Sequence, residues 1–208
     1  STGSGKTSII NLINRFYEYN KGTIYLDNHN LKDYNMRALH KLIGYVPQDV
    51  FLFSDTIRNN LILGNNTISD KKIWEVIYSV KAEKFIEKLP GRLDYNVMER
   101  GARLSVGQRQ LISCIRILLF DPKIILLDEA TSSVDSETEE IIQKSIAKIL
   151  KNRTSIVVAH RLSTIKQADE ILVVENGEIV ERGNHNQLEI NNKYYSKLLE
   201  MQFENFTI

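Results

Sequence analysis

The sequence predicts an α/β fold built on a mostly parallel sheet. Three observations carry that expectation. Short apolar runs such as "IILLD" and "SIVVA" alternate with stretches of helical period, as strands joined by crossover helices do. These runs are continuous, like strands buried on both faces. Polar residues stand at their carboxyl ends, Gln48 after "IGYV", Asp128 and Glu129 after "IILL", His160 after "IVVA". In an open parallel sheet the ligand crevice lies at that rim. A lone Gln or His at a strand end is usually structural. Four such groups, beside a glycine-rich loop, read as a site.

The elements follow in order. A helix begins near Lys6 and runs through "KTSIINLINRFYEY". "TIYLD", Thr23 to Asp27, reads as a strand after the turn "NKG", and "LIGYVPQ" as a strand stopped by Pro47. Ile73, Val76, Ile77, Val80 and Leu89 recur at near-helical spacing, from a Ser69 cap to Pro90, with Trp74 as a packing residue. Ser105 and Gly107 open a helix that ends at Asp121-Pro122. "SETEEIIQKSIAKILK" starts with a capping box, Ser136 with Glu139, and buries Ile142, Ile146 and Ile149. "ILVVENGEIVERG" is a hairpin turning at Asn176-Gly177. From Asn186 to Phe206 the helical period is weaker.

Composition narrows the classes. The 208 residues are 42% hydrophobic and 25% charged, a globular balance. A net charge of +1 lacks the basic footprint of a nucleic-acid binder. The single Cys114, inside "LISCIRILLF", excludes an internal disulfide framework and reads as a buried structural thiol. No apolar run exceeds four residues, whereas a membrane helix needs about 20.

The chemistry starts at "STGSGKTS". A phosphate loop reads Gly, four residues, then Gly-Lys-Ser/Thr. Gly5, Lys6 and Thr7 fill the last places, so the first glycine is expected immediately before Ser1 and the sequence is expected to be a piece of a longer chain. Gly3 and Gly5 let successive N–H groups turn inward around phosphate oxygens, with Thr2, Ser4 and Ser8 beside them. The following helix adds its N-terminal dipole. Lys6 suits the outer phosphates and the Thr7 hydroxyl a magnesium ion. Asp128 at its strand end suits the second magnesium role. Glu129, next to it, is the candidate base for a water attacking the terminal phosphate, an effect of roughly 10²–10⁴-fold. Together these predict a P-loop nucleoside-triphosphatase core.

"RLSVGQRQLI" supplies a second helix N-terminus fit for an anion. One chain with two phosphate-grade sites suggests that the second completes a neighbour's. Here the sequence resembles the nucleotide-binding domain of ATP-binding cassette transporters. Lys6-Thr7 and Asp128-Glu129 match the Walker motifs, and Leu104, Ser105, Val106, Gly107 and Gln108 match the signature. Gln48 matches the Q-loop, Ser132, Ser133, Val134 and Asp135 the D-loop, and His160 the switch histidine. Val106 departs from the family's usual glycine.

The resemblance implies ATP and Mg²⁺ as ligands, with Thr7, Gln48 and Asp128 near the metal and Glu129, His160 and Lys6 catalytic. It implies a helical subdomain, about 66–119, inserted in the core of a single domain, 1–208, with part of an N-terminal antiparallel region missing upstream. It implies a head-to-tail partner domain, identical or related, whose nucleotide Ser105 and Gly107 would complete. "VPQDVFLFSDTIRNNL" and the X-loop-like Glu99, Arg100 and Gly101 resemble bacterial multidrug, lipid or peptide exporters. Such segments imply coupling helices of a transmembrane domain fused upstream, and a place at the cytoplasmic membrane face. The adenine-stacking aromatic is expected upstream too.

Overall fold

A computed structural model describes residues 3–128, 134–159, 161–191 and 193–204. Its first elements are α1 (Lys6–Ile13), β1 (Tyr25–Leu26), β2 (His29–Asn30), α2 (Met36–Leu42), β3 (Ile43–Val46) and α3 (Ile57–Ile62). There follow α4 (Asp70–Ser79), α5 (Glu83–Glu87), α6 (Val106–Phe120), β4 (Ile124–Asp128), α7 (Ser136–Leu150) and β5 (Thr154–Val158). The last elements are α8 (Leu162–Lys166), β6 (Ile171–Glu175), β7 (Glu178–Gly183), α9 (His185–Ile190) and α10 (Tyr194–Glu204). The chain forms two compact units, one from Tyr34 to Val157, the other from the stretches through Asp33 and from Val158.

In the Tyr34–Val157 unit, β3 and β4 pair in parallel, Val46 opposite Leu127, and β5 continues the sheet in the order β3-β4-β5. The residues after β3 and at the end of β4 therefore share one rim. The core is built on α6, where Leu111, Ile112, Cys114 and Ile115 are all at most 1% exposed. A helix apolar nearly all round must be buried. It packs with Ile142, Ile146 and Ile149 of α7 and with Ile73, Val76 and Ile77 of α4. Each such side chain contributes about 1.5–3 kcal/mol on burial. Gly44 admits a close approach in this core, since a Cβ there would lie 2.5 Å from Pro122 Cγ.

In the other unit, β6 and β7 form the expected hairpin, with Asn176 (φ 50°) and Gly177 (φ 82°) at its turn. Val173, Leu188, Tyr195 and Leu199 form its small apolar cluster. His185 and Tyr195 meet there, Nδ1 and the phenol oxygen being 2.8 Å apart.

Several local expectations are corrected. The Thr23–Asp27 strand shrinks to Tyr25–Leu26, because Asp27 and Asn28 adopt positive φ and turn the chain back onto β2. The first helix stops at Ile13, with Arg15 at φ 54°. The helix expected up to Pro90 breaks after Ser79, where Lys81 takes φ 61°, and resumes as α5. The cap of α7 is Asp135, not Ser136; its carboxylate accepts from Thr138 N–H at 2.9 Å. β5, expected to be buried on both faces, leaves Ile156 39% exposed because it stands at the edge of the described sheet. The Ser69 cap is as expected, accepting from Lys72 N–H.

Candidate functional site: a phosphate loop and a capped signature helix

Gly3 (φ 83°) and Gly5 (φ 98°) occupy the left-handed region that glycine tolerates, and Gly5 precedes α1 without any side-chain cap. The α1 N-terminus therefore carries its positive dipole end at the loop without a side-chain cap on Gly5. Ser4 is buried, and Lys6 Nζ donates to its hydroxyl at 2.8 Å. That contact folds the lysine back over the loop, while Thr7 and Ser8 are exposed. A further support was not legible beforehand: Gly177 N–H, at the hairpin turn, donates to Ser4 C=O at 3.1 Å. A Cβ on Gly5 would lie 3.8 Å from Gly177 Cα, so hairpin and loop touch backbone to backbone.

At the β3-β4 rim, Gln48 is exposed and Asp128 is 3% exposed. Burial raises the Tyr45 phenol above its ordinary value, and the nearby Asp128 carboxylate adds to the shift. A carboxylate at a strand end suits a hard cation such as Mg²⁺, which binds through few protein ligands. Among the described residues, no group of three or more His, Cys, Asp or Glu gathers as a metal cage. Thr2, Glu129, Ser132, Ser133 and His160 lie outside the described residues.

The signature residues form a helix start. Ser105 Oγ accepts from Gln108 N–H at 3.2 Å, and Gln108 Oε1 accepts from Ser105 N–H at 3.0 Å, a full capping box. Ser105 is exposed and Leu104 buried. Val106 points outward, 44% exposed. Gly107 packs on the start of α7, where a Cβ would lie 2.5 Å from Val134 Cγ1 and 2.8 Å from Thr138 Cγ2. The Asp135 carboxyl is held below its ordinary value, first by the Thr138 backbone N–H.

Gln48, Phe51, Glu99, Arg100, Val106 and Gln110 line one open groove of about 640 Å³. The Q-loop-like and X-loop-like segments therefore share a wall. Gly101 is buried behind them, at φ 70°, where a Cβ would lie 2.9 Å from Leu52 Cδ1. Phe51 and Phe53 stand edge to face at 5.2 Å, both more than half exposed.

The phosphate loop at a helix N-terminus in one unit and the acid-tipped parallel sheet in the other are features of P-loop nucleotide-binding proteins. The family model described as "ABC transporter" matches residues 1–132. Putative multidrug export ATP-binding/permease proteins of Staphylococcus aureus, strains bovine RF122 / ET3-1 and NCTC 8325, are each 47% identical over 201 residues. The matches cover 97% of this chain and 35% of those proteins. A solved bacterial Atm1-family ABC exporter with ATP bound superposes with TM-score 0.88 at 36% identity, over 97% of this chain and 35% of that one. The chain belongs to the ABC transporter family and spans about a third of the length of the relatives it matches.

Proposed function

We propose that the chain is the motor of a membrane exporter, in which ATP binding and hydrolysis drive transport through a transmembrane part fused upstream. The observation that carries this reading is the pair of helix starts of anion-binding residue type, a half-exposed one at Gly5-Lys6 and an exposed one at Ser105. Thr2, Gly3, Ser4, Gly5, Lys6, Thr7 and Ser8 cradle the phosphates. Lys6 steadies the charge on the outer phosphates. Thr7, Gln48 and Asp128 would hold Mg²⁺, which would supply neutralisation of phosphate charge. Glu129 takes the proton of the attacking water, and His160 orients that water and the terminal phosphate.

Ser105 and Gly107, within Leu104–Gln108, complete the nucleotide site of a second such domain arranged head to tail. Ser132, Ser133, Val134 and Asp135 link the two sites across that interface. Residues 66–119 act as the helical subdomain that carries the signature. The groove at Gln48, with Glu99, Arg100 and Gly101 along its wall, receives coupling helices at the cytoplasmic face of the membrane. Multidrug export is the printed description of the S. aureus relatives, and the transported substrate is chosen in the transmembrane part.

The test is Glu129→Gln in the full-length exporter. ATP affinity is expected to stay near the parent's while hydrolysis falls by about 10²–10⁴-fold. Hydrolysis within about twofold of the parent would remove Glu129 from the role of base.

A further inference from the structure

Arg116 lies on α6, 11 residues beyond Ser105, roughly 16 Å along the helix. Its guanidinium reaches across to a different part of the chain. Nε donates to Asn60 C=O at 2.5 Å, Nη2 to Asn60 Oδ1 at 2.9 Å, and Nη1 to Phe51 C=O at 3.2 Å. Asn60 is fully buried in α3. Its Oδ1 also accepts from Phe53 N–H at 2.9 Å, and its Nδ2 donates to Phe53 C=O and Thr56 C=O, both at 3.0 Å. The amide side chain thus serves Phe53 as a strand partner would, satisfying both its N–H and its C=O.

Among the described residues, no carboxylate pairs with Arg116. Burial pushes the guanidinium down to about 10, still charged at neutral pH. A half-buried cation held by amide and carbonyl dipoles is an unusual solution for a helix otherwise packed with isoleucine and leucine. The planar fork explains the choice of arginine, because a single ammonium cannot address three acceptors in these directions. What the fork holds is the stretch Phe51 to Phe53, which leaves the Q-loop and puts Phe51 on the groove wall.

We propose that Arg116 and Asn60 form a positioning clamp that locks the segment leaving the Q-loop to the signature helix, so that displacement of Phe51–Phe53 reaches Ser105. The clamp rests on the exporter-motor reading given above. Neither residue is among those assigned above to nucleotide or metal. Coupling of this kind needs a contiguous, discretely arranged network, and the Phe51–Asn60–Arg116–α6 chain of bonds is one. Leu52, between the two clamped residues, is fully buried, which leaves the segment little room to move by itself.

The experiment compares the full exporter chain with its Arg116→Lys, Asn60→Ala and Asn60→Asp variants. ATP affinity, kcat well below the melting temperature, and hydrogen exchange of the peptides around 51–53 and 104–109 are measured together. Arg116→Lys is expected to keep ATP affinity within about twofold while kcat falls about tenfold, with exchange rising in both peptides. Asn60→Asp keeps the Oδ1 acceptor opposite the guanidinium, so it should retain more activity than Asn60→Ala. The clamp is overturned if kcat per folded molecule stays within about twofold in Arg116→Lys and Asn60→Ala. It is equally overturned if the exchange increase stops at 51–53. Should one of Asn60→Ala and Arg116→Lys not fold, the other decides by the same two readings, and Asn60→Gln, which displaces the amide by one methylene, replaces them if neither folds. A parent chain that hydrolyses no ATP would defeat the exporter-motor reading instead, and the exchange arm would still judge the clamp.

Discussion

One added methyl at Gly107 tests how the signature helix is seated. An alanine Cβ there would sit 2.5 Å from Val134 Cγ1, 2.8 Å from Thr138 Cγ2 and 3.4 Å from Val134 Cγ2. Carbon atoms rest comfortably at about 3.5–4.0 Å, so the methyl arrives about 1 Å too close to two groups. Both neighbours are β-branched and cannot swing aside cheaply. Overpacking of this kind costs about 1–3 kcal/mol. Replacing glycine inside a helix offsets about 0.5–1 kcal/mol of that. The expected net loss is about 1 kcal/mol, or about 2–4 °C in Tm for a chain of this size. Val134→Ala removes the nearer clash and leaves that with Thr138 Cγ2, so the double variant should be more stable than the sum of the singles by about 0.5–1 kcal/mol. Thermal melts of the four proteins, followed by circular dichroism, provide the cycle. Gly107→Ala as stable as the parent, with no coupling to Val134, would refute the packing argument and leave glycine there unexplained by sterics.

Ser105→Asp should separate two roles of one residue: aspartate caps a helix as well as serine does, so Tm should hold. ATP turnover of the paired domains should nevertheless fall at least about tenfold, because a carboxylate replaces a hydroxyl against phosphate; full turnover would count against Ser105 facing nucleotide. The Asp135 carboxyl, held below its ordinary value by Thr138, stabilises the fold above the ordinary carboxylate pKa, and that stability is lost as pH falls through the lowered value. As the pH is taken down through and below the ordinary carboxylate range, the parent should therefore lose more Tm than Asp135→Asn, and parallel losses would remove the cap from the account. Cys114 is buried and its thiol is pushed up to about 12, so iodoacetamide at pH 8, about where a free thiol is reactive, should label it only in denaturant. Rapid labelling of the native protein would contradict the packing of α6.

What could be read in advance follows from how local the cause is. The Asn176-Gly177 turn, the Ser69 cap and the Ser105 helix start each depend on neighbours within a few residues, and each stands as read. Asp135 and Ser136 are both good caps, so only the geometry of the Thr138 N–H decides between them. Nothing in "VKAEK" announces the break at Lys81, where Val80 and Ala82 are drawn into the core and the backbone yields. The motif residues of the phosphate loop and signature were legible because their chemistry resides in residue type and spacing. Arg116 and Asn60 were not, since their main partners are backbone groups, up to 65 residues away for Phe51. Gly177 was legible as a turn but not as a support of Ser4, for the same reason.

The Gly177–Ser4 contact has an electrostatic consequence. In a trans peptide plane, C=O and N–H point in opposite directions. With Ser4 C=O engaged by Gly177 N–H, the Gly5 N–H of that same plane must face away from the hairpin. A plane rotated by half a turn would instead present an oxygen to an incoming phosphate, turning an attractive lip into a repulsive one. Glycines make such rotation easy, and Gly5 shares this plane. The paired strands β6 and β7, more than 160 residues downstream of the loop, thus act as a polarity lock. They fix which end of a single amide dipole an anion meets first.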